Sequence, residues 1–171
     1  MKECVRVSHV VVGTFFCLAT ALLFWSPSTR SDSEIEFCAF DELANNHFVY
    51  NPQTLRWTAV DANGTVVRTG RGSSGRAYCP DTGRRCRTPS GTYHVMYKQG
   101  ASCKSSRYPV GRGGSPMPYC MYFSKNYAVH GSHEVPNYNA SHGCIRVTPS
   151  DAKWLYYNFM DIGTTVVVKP Y

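Results

Sequence analysis

Two short stretches of this chain, His130-Gly131-Ser132-His133 and Ser141-His142-Gly143-Cys144-Ile145-Arg146, gather a cysteine, imidazoles and glycines close together in sequence. A cysteine attacks carbon only as thiolate, and a neighbouring imidazole, here His130 or His142, is the usual means of forming one near neutral pH. Gly143, directly before Cys144, lets the backbone approach closely. Its N–H, together with that of Cys144, would face the oxyanion that develops when a carbonyl is attacked. The residue types therefore suit covalent catalysis at a thiol. The same His130, His142 and Cys144 also form a legitimate zinc ligand set of two imidazoles and a thiolate. Their spacing matches no zinc motif and the sequence offers no fourth ligand, so neither a metal nor another cofactor is expected.

The elements that must position these residues are strands. HFVYNP, LRWTAVDANG, TVVRTGRG, GTYHVMYK, MPYCMYF, NYAVHG and GTTVVVKPY are short runs rich in Val, Tyr, Thr and Phe, separated by turn residues. Asn63-Gly64 is a hairpin signal. Runs at this spacing predict a mainly β fold, an antiparallel-rich sandwich or barrel. One helix follows the cysteine: Thr148 is a good N-cap, Pro149 suits the first helical position, and Asp151 completes the capping pattern. Ala152, Leu155, Tyr156 and Phe159 then recur at helical spacing, with Gly163 beyond the end. The helix is expected to pack on the sheet and fix the strand carrying Cys144. On such a strand His142, Cys144 and Arg146 would share one face.

Length and composition bound the rest. The chain has 171 residues, eight cysteines and a formal net charge of +7. That leaves room for one domain with a sizeable core, expected over residues 46–171. Residues 1–25 have a short charged head and an uncharged apolar run, Val7 to Trp25, that reads as a cleaved signal peptide or a retained membrane anchor. Residues 26–45 are polar and read as a linker. Export predicts disulfides. With Cys144 kept as a free thiol, Cys79 is expected to pair with Cys86 across the turn-rich CPDTGRRC segment, and Cys103 with Cys120, leaving Cys38 over. Between Arg68 and Arg112 ten Lys or Arg residues face a single acid, Asp81. This stretch should attract anions. In an exported domain these are cell-wall polymers and membrane surfaces, not nucleic acid; a merely solvated surface is the other reading.

The segments Met117 to Phe123, Tyr127 to Gly131 and Ser141 to Tyr156, with Thr88-Pro89-Ser90-Gly91-Thr92-Tyr93 upstream, closely resemble the L,D-transpeptidase catalytic domain of bacterial cell-wall enzymes. The likeness runs from about His47 to Tyr171, and the ordered combination of elements is far more specific than any one of them. It implies a β-sandwich of mixed and antiparallel strands with one helix after the catalytic cysteine. It also implies Cys144 as nucleophile and His130 as general base, with the carbonyl of Gly131 or a neighbour orienting the other ring nitrogen. His142 would hold substrate or tune the thiolate, and Ser141 would order the loop. Arg146 would take a substrate carboxylate, the alternative being an ion pair with Asp151. The implied substrate is a peptidoglycan stem tetrapeptide that loses D-Ala, with a second stem or a lysine of a wall-linked protein as acceptor. The connection from His130 to Ser141 is at the short end for the family, which bears on acceptor choice. Hydrolysis by the same site, or a non-catalytic wall-binding role, are the alternatives; the apolar run of residues 1–25 predicts location in the periplasm or cell envelope, anchored in the inner membrane if the run is retained.

Overall fold

The computed structural model describes residues 45–171; the apolar run of residues 1–25, the linker up to residue 44 and Cys38 lie outside the described residues. No helix among the described residues is long and apolar enough to cross a membrane.

Alternation of apolar and polar residues builds the first hairpin. Strands β1 (His47–Asn51) and β2 (Arg56–Val60) pair antiparallel with Phe48 opposite Ala59 and Tyr50 opposite Trp57, all four buried. The Asn63-Gly64 signal is used in the next connection. Asp61 Oδ1 accepts from the N–H groups of Asn63 and Thr65, each at 2.9 Å, and Gly64 takes φ +82°, a left-handed conformation that glycine adopts without strain. The chain then enters β3 (Val66–Ser73). Most of β3 pairs with β2, but Gly72 and Ser73 pair with Val147 and Arg146 of β8 (Ile145–Val147).

The remaining strands are β4 (Gly91–His94), β5 (Tyr97–Gln99), β6 (Cys120–Ser124), β7 (Tyr127–Gly131) and β9 (Thr165–Val168). The nine lie in the order β4-β9-β1-β2-β3-β8-β7-β6-β5. β1 with β9 and β7 with β8 are parallel; the other neighbours are antiparallel. The expected mainly β fold with one helix is therefore observed among the described residues, but the two layers of the sandwich are halves of one curled sheet joined at β3.

The run GTYHVMYK does not form one strand. Val95 N–H donates to Thr164 O beside β9 and Met96 N–H to Tyr122 O on β6, at 2.9 and 2.7 Å, so the chain changes partners between β4 and β5. These two consecutive strands are the two ends of the sheet order, and the change of partners brings those ends together. The Tyr93 and Phe123 rings meet across the seam at 5.4 Å.

The core inside the curl includes Phe48, Trp57, Met121, Val129, Ile145, Val147, Leu155, Met160 and Val166. Helix α1 (Pro149–Asn158) covers β7 and β6 with Ala152 and Leu155 inward. Its start follows the sequence pattern: Thr148 Oγ1 accepts from Asp151 N at 3.2 Å and Pro149 opens the helix. Asp151 also accepts from Arg68 Nη2 at 2.7 Å, so Arg146 is not its partner. Both expected disulfides, Cys79–Cys86 and Cys103–Cys120, are formed, and Cys144 is the free cysteine among the described residues.

Because the Thr148 hydroxyl satisfies an otherwise unpaired N–H at the helix start, Thr148→Ala should lower unfolding stability by about 1 kcal/mol. Urea denaturation measures this, and Thr148→Ser should retain most of it.

Candidate active site

The site is set by the parallel pairing of β7 and β8, in which Val129 faces Ile145, His130 faces Arg146 and Gly131 faces Val147. Val129, Ile145 and Val147 point into the core, so alternation turns His130 and Arg146 to the opposite face. Cys144 immediately precedes β8. His130, Cys144, Arg146 and His142 line one cavity of about 510 Å³, with Tyr108, Met117 and Asn126 among its other walls.

The bend from Ser141 to Cys144 corrects the expectation of a continuous strand through His142, because β8 begins only at Ile145. Gly143 takes φ +129°, and a Cβ there would collide with the Tyr127 ring. Glycine is thus required for both conformation and space. Ser141 Oγ donates to Cys144 O at 2.6 Å and accepts from Gly143 N at 2.9 Å. The Gly143 N–H is therefore occupied and does not face an oxyanion, which leaves Cys144 N–H as the candidate of that pair.

Sequence reading did not find the residue that braces this bend. Thr88, 1 % exposed, donates its hydroxyl to Gly143 O at 2.7 Å and accepts from Gly75 N at 3.0 Å. Its own N–H donates to Tyr171 OH at 3.0 Å. Thr88 opens the Thr-Pro-x-Gly-aromatic element, but its partner lies 55 positions along the chain and nothing local names it.

His130 is 5 % exposed, and its Nδ1 lies 2.8 Å from Gly131 O. A carbonyl only accepts, so Nδ1 carries the proton and Nε2 is left as the basic nitrogen. Burial pulls the imidazolium pKa down to about 4; the Gly131 carbonyl opposes this and Arg146 adds to it. Burial likewise pushes the Cys144 thiol above its usual range, against the opposing pull of the Ala128 backbone and the Arg146 charge. Both shifts favour a neutral thiol and a neutral imidazole in this cavity at pH 7. This differs from the expectation that the imidazole maintains a resting thiolate.

His142 is held from two sides. Its Nε2 lies 2.8 and 3.0 Å from the two oxygens of Asp81, and its ring stacks on Tyr108 at 4.1 Å. Asp81 belongs to the loop closed by Cys79–Cys86, and Tyr108 to the loop closed by Cys103–Cys120. Arg146 Nη1 lies 3.4 Å from Glu134 Oε2, an exposed carboxylate, and remains in the cavity wall. His130, His142 and Cys144 do not converge as metal ligands. The described trio that does is Cys79, Asp81 and His142, in which Cys79 is already disulfide-bonded.

The basic stretch is dispersed. Arg68 pairs with Asp151, Arg76 Nε donates to Ala140 O at 2.9 Å, and Lys98 Nζ lies 3.0 Å from Asp161 Oδ1. Of the ten cations between Arg68 and Arg112, Arg107 alone lines the cavity, where Lys125 and Arg146 join it.

Fold and site together define a β-rich domain built around a free cysteine with a tautomer-fixed histidine in its cleft. The family model for the YkuD L,D-transpeptidase catalytic domain matches residues 45–168. The chain belongs to this family. Among solved structures, the L,D-transpeptidase of Xylanimonas cellulosilytica is 33% identical, with a TM-score of 0.62 over 72% of this chain and 60% of that one. An L,D-transpeptidase of Mycobacterium tuberculosis H37Rv is 26% identical, with a TM-score of 0.59 over 74% of this chain and 58% of that one. L,D-transpeptidase 3 of Mycobacterium tuberculosis, solved with a faropenem-derived adduct, is 25% identical, with a TM-score of 0.59 over 74% and 60% of the two chains. This chain thus spans about three fifths of the length of these structures. No curated protein matches it.

Two measurements probe this geometry. Because the thiol pKa is raised, less thiolate is present at pH 7 than in free cysteine. Alkylation of Cys144 by iodoacetamide should therefore climb with its midpoint above the ordinary cysteine range; a rate plateau already reached below pH 7 would contradict the neutral pair. Thr88→Val keeps the shape but strands the buried Gly75 N–H and Gly143 C=O. It should destabilise the domain by about 2 kcal/mol or more in urea denaturation, with Thr88→Ser close to wild type.

Proposed function

We propose that this protein is a peptidoglycan L,D-transpeptidase that works through a thioester on Cys144. The observation that carries the reading is the free Cys144 thiol in one cleft with His130, whose Nδ1 is committed to Gly131 O so that Nε2 is the nitrogen able to take a proton. Family membership supplies the substrate class. The adduct in the Mycobacterium tuberculosis relative supports reactivity of this kind of site toward a penem.

In the first half-reaction, His130 Nε2 takes the thiol proton as sulfur attacks the carbonyl between the L-centre of the third stem residue and the terminal D-Ala. With a neutral resting pair this transfer accompanies the attack. The tetrahedral oxyanion is held by backbone N–H groups, of which that of Cys144 is a candidate. His130 then returns the proton to the leaving amine and D-Ala departs. An amine of a second stem, or of a wall-linked protein, takes the acyl group in the second half-reaction and thiolate leaves. Arg146, Arg107 and Lys125 in the cavity wall suit the carboxylates of the stems. Holding the amine beside the thioester lets it compete with water, since oriented binding supplies effective molarities on the order of 10⁵ M. The chemistry uses no metal or cofactor.

The apolar run of residues 1–25 and the two disulfides support export to the periplasm or cell envelope, with membrane attachment only through that run if it is retained. Wall remodelling and maintenance of cell shape follow as the role.

Incubation with tetrapeptide-bearing muropeptides should yield cross-linked dimers and D-Ala by chromatography and mass analysis; tripeptide and D-Ala alone would make the protein a carboxypeptidase. A penem should add to the intact protein mass of wild type and not of Cys144→Ala. His130→Ala should lower turnover by about 10²–10⁴-fold.

A further inference from the structure

The family reading explains Cys144 and His130 but leaves a second imidazole in the cleft with a carboxylate behind it. His142 Nε2 lies within 3.0 Å of both Asp81 oxygens. A carboxylate only accepts, so Nε2 carries a proton, and in the neutral ring the lone pair lies on Nδ1. No hydrogen bond to a described residue occupies Nδ1, while the ring lines the cavity that holds Cys144 and its plane is fixed by the Tyr108 stack. A carboxylate behind one nitrogen of a ring that lines the cleft, with the other nitrogen uncommitted, is an arrangement that accepts a proton and stabilises the resulting imidazolium.

We propose that His142, oriented by Asp81, is the base that takes the proton of the amine acceptor in the second half-reaction, with Asp81 as its positioning residue. The proposal rests on the transpeptidase reading above. In that step an ammonium R–NH₃⁺ gives one proton to His142 Nδ1, and the freed nitrogen lone pair attacks the thioester carbonyl. The C–N bond forms and the C–S bond breaks with its electron pair on Cys144 Sγ. The second amine proton ends on Sγ, directly or by way of His130 Nε2, which restores the neutral resting pair, and His142 gives its own proton to solvent.

The division of labour follows from the two environments. His130 is buried and its imidazolium is disfavoured, so it suits a proton held briefly between sulfur and leaving group. The His142 side chain is 20 % exposed and faces a carboxylate, so it suits a proton arriving from outside and leaving to solvent. The cleft cations Arg107, Lys125 and Arg146 disfavour an ammonium at the thioester, which makes removal of its charge part of the step.

The test separates the half-reactions and varies the acceptor at fixed pH 7. Wild type, Asp81→Asn, Asp81→Glu and His142→Gln are acylated with a muropeptide tetrapeptide donor, D-Ala release is timed, and transfer is measured to two acceptors. One is a lysine-type amine with pKa about 10.4, the other an α-amine with pKa about 8. Asp81→Asn should acylate within about twofold of wild type yet transfer to the lysine-type amine about tenfold more slowly, and His142→Gln about a hundredfold more slowly. The deficit should shrink for the α-amine, more of which is already neutral, and Asp81→Glu should recover part of the rate. Acylation falling in parallel with transfer, or an equal deficit for both amines, would overturn the proposal and reduce the pair to loop packing. Transfer by wild type to neither amine, with D-Ala released, would instead remove the transpeptidase reading itself.

Discussion

The site depends on one buried hydroxyl. Thr88 joins the backbone of Gly75, the carbonyl of Gly143 and, through its own N–H, the Tyr171 hydroxyl, so three distant segments of chain meet at a single side chain. Tyr171 OH lies 2.7 Å from Ser74 Oγ and 3.1 Å from Gly75 O, which extends the junction. Without it the Gly143 carbonyl would be buried and unpaired, and the bend presenting Cys144 would have to find another conformation. Ser141 closes the same bend from inside by bonding Gly143 N and Cys144 O. The nucleophile is thus aimed by hydrogen bonds to its backbone, with its thiol 4.0 Å from Asn126 O, while the sheet beneath it supplies a floor of Val129, Ile145 and Val147.

Burial sets the resting charge of the catalytic pair. Burial pulls the imidazole down to about 4 and pushes the thiol up, so both favour their neutral forms. Such a pair gains most when a carbonyl takes up the developing charge and N–H groups share it.

The features legible in sequence were those whose cause is local. Thr148-Pro149 and Asp151 announce a helix start because capping acts over three residues, and Asn63-Gly64 announces a hairpin because the turn demands a left-handed residue. CPDTGRRC announces a disulfide because its cysteines close a short turn. Illegible features have causes far away. GTYHVMYK reads as one strand, and only the positions of Thr164 and Tyr122 divide it at Val95 and Met96. β8, at three residues, is too short for alternation to register. Arg146 had an acid five positions on in Asp151, yet Arg68 takes that acid from 83 positions away and leaves Arg146 to Glu134. Asp81 was visible as the one acid in a basic stretch, but not its bond to His142, 61 positions along.

The two disulfide-closed loops show why an acid and an aromatic ring can be placed accurately outside the main core. Residues 79–86 and 103–120 contain few apolar residues to bury, so packing alone cannot hold them in one conformation. A covalent closure removes much of that freedom, with about 2–4 kcal/mol typical of each bridge. Cys103 and Cys120 also seed a small buried cluster with Met117 and Ala128, which anchors the second loop to the strand leading to His130. His142 then gains a carboxylate from one loop and a stacked ring from the other. Each contact restrains the other, because displacing either loop would tilt the same imidazole.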